Sequence, residues 1–174
     1  MFKNTKTLVM LALFIALQIL FTRVLSVETP FIRLSFAFLP IAVSGIMFGP
    51  VTAGFAALIA DVVGIIIIPP VTGAVPHWGF SLSAFLTGSV YGLMLYKRGH
   101  SLTRITIACA IHLGVIAMIL NSLWLSQIWG TPFIPTMLGR LLAQAVLFPI
   151  QIITIRLVWR YLGRYLERSE AVAL

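Results

Sequence analysis

With 60% hydrophobic and only 9% charged residues and a mean hydropathy of +1.08, this chain of 174 residues cannot dress a water-facing surface, since an ordinary soluble domain carries about 25% charged residues. The formal charge of +8 does not indicate a nucleic-acid surface either, because the lysines and arginines stand at the ends of apolar segments and not on one aromatic-laced face. What remains is an integral membrane protein, expected to be a single membrane domain over residues 1–174 with the lipid bilayer as its solvent.

A bilayer core of about 30 Å takes about 20 mostly apolar residues per helix, and breaks made by Pro, Gly and charge divide the chain accordingly. The first predicted helix runs from Thr7 to Leu25. Its basic start and apolar run resemble a signal peptide, but no small-x-small cleavage site precedes Thr22 and Arg23, so a retained helix is expected. A second, short for a full crossing, runs from Ser35 to Phe48 and turns at Gly49-Pro50. The third spans Val51 to Ile68, the fourth Phe80 to Tyr96, the fifth Thr103 to Leu125 and the sixth Pro135 to Leu162. The expected fold is therefore an all-α bundle of six transmembrane helices. Small-xxx-small pairs predict close helix contacts, because lipid tails give apolar helices no hydrophobic reason to associate; they are Ala12 and Ala16, Gly45 and Gly49, Ala53 and Ala57, and the ladder Ala84, Gly88, Gly92. The single cysteine, Cys109, lies in an apolar run and reads as a small core residue.

Alternate loops differ sharply in Lys and Arg, which sets orientation because positive residues are retained on the cytoplasmic side. With the N-terminus inside, Lys3, Lys6, Lys97, Arg98, Arg104, Arg156, Arg160, Arg164 and Arg168 are cytoplasmic, against Arg23, Arg33 and Arg140 outside. Both termini are thus expected in the cytoplasm.

Three features suggest chemistry. The outer arginines Arg23, Arg33 and Arg140 carry planar forks that suit carboxylates, although snorkelling or pairing with Glu28 and lipid phosphate also accounts for such residues. Inside the apolar spans, Gln18, Asp61, His112 and Asn121 are costly against lipid and must face protein or a cavity; for Asp61 a structural arginine, His112 or Asn121 partner is the plain alternative. Phe31, His77, Trp78, Phe80, Trp124, Trp129 and Phe133 crowd the outer ends, whereas Trp159 is the one tryptophan on the inner side. An interfacial aromatic belt explains part of this, and a planar ligand held by stacking explains the asymmetry. Pro69-Pro70, Gly73, Pro76 and Gly79 give the third loop the turn chemistry of a lid.

No GxxxxGK[ST] loop, HExxH, CxxC or GxSxG motif is present, so nucleotide hydrolysis and those enzyme classes lack support. One enzyme reading survives, an intramembrane acid–base pair of Asp61 with His112.

Several stretches carry a family resemblance: the N-terminal helix with Ala12-xxx-Ala16, RVLSVETPFIRLSFAFLPIAVSGIMFGP from Arg23, AGFAALIADVVG from Ala53, GFSLSAFLTGSVYGL from Gly79, and NSLWL from Asn121 followed by Arg140. Through them the chain resembles the substrate-binding (S) subunits of energy-coupling-factor vitamin transporters, in particular the folate-specific group, nearly end to end. The resemblance implies a non-enzymatic protein of the bacterial plasma membrane that captures folate outside. It also implies association, through Ala12 and Ala16, with a transmembrane coupling subunit and two cytoplasmic ATPases. The ATP is then used by those partners, and this chain binds no cofactor. Arg23, Arg33, Asp61, His77, Trp78, Asn121, Trp124 and Arg140 become the candidate substrate-binding residues. The lid departs from the folate group, with PHWGFSL where Pro-Gly-Phe-Thr-Leu is the pattern, which leaves riboflavin, thiamine, biotin and pantothenate as alternative vitamins.

Overall fold

The computed structural model describes residues 5–28, 33–68, 77–97 and 101–171, excepting the side chains of residues 27, 28, 33, 34 and 162–171. Six helices follow in order: α1 (Thr5–Val24), α2 (Phe38–Phe48), α3 (Pro50–Ile67), α4 (Trp78–Leu95), α5 (Leu102–Trp129) and α6 (Phe133–Ala171). Five of them are long and apolar enough to cross a membrane; α2, with 11 residues, is about 16 Å long and is not among those five. Polarity is inverted relative to a soluble protein. Gln18, Gln144, Gln151 and Arg140 are buried, while Val9, Leu13, Phe55, Ile66, Leu142 and Ile153 face outward, as a hydrocarbon solvent requires.

Helix ends follow local chemistry. Gly49 takes φ +84°, its N–H bonding Gly45 O at 3.1 Å to close α2, and Pro50 opens α3 at a position where the missing N–H costs nothing. Gly130, at φ +63°, ends α5 in the left-handed region. The expected loop between the first two helices contains a short antiparallel hairpin, β1 (Ser26–Glu28) with β2 (Arg33–Ser35), in register Ser26↔Ser35 and Glu28↔Arg33. It shortens the second helix from the expected Ser35 start to Phe38. Ser35 Oγ donates to Phe21 O at 2.7 Å and accepts from Ala37 N at 3.1 Å, tying the hairpin to the end of α1 and the start of α2.

The tightest pair is α3 with α4. A Cβ on Gly88 would overlap the Ala53 carbonyl, one on Gly92 would overlap Pro50, and one on Gly45 would come 2.8 Å from Gly92 N. Three backbones meet there because those side chains are missing. Ala53 and Ala57 are buried in the same seam, as their spacing predicts, whereas Ala12 and Ala16 lie exposed on α1. Phe38, Ala42, Tyr91, Ala108, Cys109 and Ile155 form the main apolar cluster.

Candidate functional site

The ends of α1 and α3 and the start of α4 share one end of the bundle with the hairpin, since Arg23, Asp61 and Ser81 touch there; Gly49 beside Tyr96 marks the other end. Below the hairpin end all six helices enclose a cavity of about 190 Å³. Its walls mix apolar residues such as Phe38, Ile41, Phe80 and Leu147 with polar groups at different depths. At about 1.5 Å per residue, Gln18, Asp61, Ser83, Asn121 and Arg140 stand about 8–12 Å from the hairpin-end termini of their helices, and Gln144 one turn deeper. His112 and Gln151 form the floor, about 26 Å in. On α6 the lining residues Arg140, Gln144, Leu147 and Gln151 follow helical spacing and make one inward face. On α5 the π-type turns of Ile111–Leu120 turn His112, Leu113 and Ala117 to the cavity; such wide turns recur at functional sites.

Some polar groups satisfy one another. Arg23, in the π-type last turn of α1, places Nη2 3.7 Å from Asp61 Oδ1, and Ser81 Oγ donates to Asp61 Oδ2 at 2.8 Å. On the floor, the Tyr91 hydroxyl donates to Gln151 Oε1 at 3.1 Å and lies 3.1 Å from His112 Nδ1, which is itself 3.2 Å from Gln151 Oε1. Over the start of α4, Trp124 Nε1 donates to Ser83 Oγ at 3.2 Å and the indole lies against His77, ring centroids 5.6 Å apart. His77 also caps α4, its Nδ1 accepting from Gly79 N at 3.1 Å. The Trp124 ring occupies the space that a Cβ on Gly79 would fill.

Other polar groups are left over. Both amide atoms of Gln18, Oδ1 of Asn121, Oε1 of Gln144 and Nε of Arg140 are buried without a hydrogen-bond partner, and each of these residues lines the cavity. Leaving such an atom unmade costs about 1–3 kcal/mol. Arg140, only 8% exposed, has no ion-pair partner among the described residues. No cluster of three metal-ligating side chains occurs among them.

The candidate residues therefore divide. Asp61, Asn121 and Arg140 line the cavity; Arg23 is engaged with Asp61; His77 and Trp124 sit at its rim through Ser83. Trp78 is 86% exposed and stands apart from the cavity, because the first turn of α4 directs it outward while Gly79 faces Trp124. Arg33 lies in β2 and its side chain is not described. Phe31 and the lid residues Pro69, Pro70, Gly73 and Pro76 fall outside the described residues, and Gly79 belongs to α4. The proposed acid–base pair does not form: Asp61 is held by Arg23 and Ser81, His112 by Tyr91 and Gln151. Gln144 and Gln151 were visible in the sequence as polar residues spaced four and eleven after Arg140, a face-defining interval that charge counting passes over.

Comparison with known proteins matches the family of ECF transporter substrate-specific components over residues 6–161. The chain is 37% identical over 171 residues to Folate transporter FolT of Clostridium novyi (strain NT), covering 98% of this chain and 97% of that one. It is 30% identical over 155 residues to Folate transporter FolT of Leuconostoc mesenteroides subsp. mesenteroides, covering 86% and 82%. Its fold matches the crystal structure of FolT bound with folic acid at a TM-score of 0.82 and 35% identity, over 93% and 95% of the two chains. With several apolar helices around a polar cavity and a family match over nearly its whole length, the chain belongs to the substrate-specific components of ECF transporters, multi-pass membrane proteins that serve transport and are not enzymes.

Proposed function

We propose that this protein captures folate at the outer face of a bacterial plasma membrane and delivers it in association with a transmembrane coupling subunit and two cytoplasmic ATPases, which supply the energy from ATP. The observation that carries the reading is the polar cavity inside an otherwise apolar bundle, lined by amide atoms without hydrogen-bond partners and by Arg140, which has no ion-pair partner among the described residues. Such groups are expensive unless a ligand completes them. The folate transporters it resembles, and the neighbour solved with folic acid, support folate as that ligand.

Folate joins a flat pterin to a benzoyl-glutamate whose carboxylates are anionic. Helical side chains lean toward their own N-terminus, so Arg140 on α6 leans toward the hairpin end, while Asn121 on α5 leans deeper. In this reading Arg140, with Arg33 of the hairpin, takes a glutamate carboxylate, and Asn121 completes the ring edge. A cavity of about 190 Å³ is below the roughly 300–1,000 Å³ of pockets that enclose a whole drug-sized ligand, so part of the folate extends past the hairpin. Both termini are cytoplasmic by the Lys and Arg distribution, the short α2 makes the sixth crossing by leaning on its neighbours, and the chain itself binds no cofactor.

The test is direct binding. Protein purified in detergent and freed of ligand is titrated with folic acid, riboflavin, thiamine, biotin and pantothenate by calorimetry. Saturable binding of folic acid alone is expected. Tight binding of another of these vitamins, with none of folic acid, overturns the substrate.

A further inference from the structure

Gln18 is the most completely unsatisfied polar side chain of the cavity. It is 2% exposed, it lines the cavity, and both its amide nitrogen and its amide oxygen lack a partner. Asn121, Gln144 and Arg140 each leave one such atom. An adjacent donor and acceptor, held together in one planar group, complement an equally planar edge with an adjacent acceptor and donor. Because α1 runs toward the hairpin end, the Gln18 side chain leans into the deeper half of the cavity, opposite in sense to Arg140. α1 packs on α2 and α3, so Gln18 stands on a different wall from Asn121 of α5 and Gln144 of α6. A flat heteroaromatic ring with two polar edges fits between such walls.

Resting on the folate reading, we infer that Gln18 is a specificity-determining residue that pairs, through both amide atoms, with the lactam edge of the pterin ring. The ring N3–H donates to the Gln18 carbonyl, and the Gln18 amide N–H donates to the ring 4-oxo oxygen. Arg140 and Gln18 then read opposite ends of one ligand, the carboxylate nearer the hairpin and the ring beneath it. An amide can turn over and offer its donor and acceptor in either order, whereas a carboxylate offers acceptors alone; a 2,4-diaminopteridine protonated at N1, with its ring turned to present N1–H and the 2-amino group, forms an ion pair with it that the uncharged ring of folic acid does not.

The experiment compares folic acid with its 4-amino analogue on the wild type, Gln18→Glu and Gln18→Leu. Gln18→Glu is expected to shift the ratio of the two affinities toward the 4-amino ligand by about tenfold or more, and Gln18→Leu to weaken folic acid by a similar factor. Melting temperatures without ligand, measured in the same detergent, identify variants that have retained the fold; Gln18→Asn, which keeps both amide atoms but withdraws them by one methylene, serves if either variant fails to fold and is expected to weaken folic acid. An unchanged ratio in folded Gln18→Glu, or unimpaired folic acid binding in folded Gln18→Leu or Gln18→Asn, overturns this assignment alone. Failure of the wild type to bind folic acid overturns the folate reading and this assignment with it.

Discussion

Arg23 and Asp61 form an ion pair across α1 and α3, Nη2 to Oδ1 3.7 Å, with the two side chains only 4% and 13% exposed. The pair sets these two charges against each other, whereas Arg140 has no ion-pair partner among the described residues. Removing one partner of such a pair strands the other charge, at a cost of about 3–5 kcal/mol, whereas replacing both by apolar groups is often near neutral. Asp61→Ala is therefore expected to lower thermal stability in detergent strongly, and Arg23→Met with Asp61→Leu to recover most of it. A single variant that melts like the wild type would show that the pair carries no such energy.

Arg140→Ala should weaken folic acid binding by about 1.5–3 kcal/mol, the worth of a charge-assisted hydrogen bond, with little change for 6-hydroxymethylpterin, which has no carboxylate. Titration of both ligands checks this. An equal loss for the two would move Arg140 from the carboxylate to the ring.

Gly79→Ala inserts a methyl where the Trp124 ring lies. Overpacking of this kind costs about 1–3 kcal/mol, and the displaced indole loses its bond to Ser83. A shift in the summed tryptophan emission with a lowered melting temperature is expected. Trp124→Phe removes the N–H donor and part of the packed ring together, so it should cost more than the ~0.5–1.5 kcal/mol of the hydrogen bond alone; identical spectra for wild type and Gly79→Ala would contradict the packing described.

Ala12 and Ala16 face outward on α1, so the substitutions Ala12→Leu and Ala16→Leu should leave folate binding within about twofold, as exposed changes usually do. If the coupling subunit docks against that stripe, the same variants should block folate uptake in cells expressing the complete transporter. Normal uptake would place the docking surface elsewhere.

The helices were legible because Gly49-Pro50, Gly130 and the charged turns interrupt otherwise continuous apolar runs, and the burial of Cys109, Ala53 and Ala57 followed from their setting. The hairpin was not legible: strands of three residues are too short to show a period of two. Within the site, Asp61 and Asn121 stood out because a polar residue among apolar neighbours is costly wherever it points. Which arginine meets Asp61 depends on how α1 and α3 are rotated, and spacing along one helix does not encode that. The same limit applies to Trp78 and Gly79, adjacent in sequence but turned respectively outward and toward Trp124. Gln18 is anomalous in the sequence as a polar residue among apolar neighbours, yet its weight comes from both amide atoms having no hydrogen-bond partner in three dimensions.

The last helix has 39 residues, about 58 Å at 1.5 Å per residue, close to double the roughly 30 Å of lipid hydrocarbon. Its apolar span ends at Tyr161, so the helix, with Pro149 inside it, continues past that span to a tip on the side away from the hairpin. Any rocking of the bundle within the lipid is levered into a larger sweep at that tip, a motion that a spin label or fluorophore placed there would report.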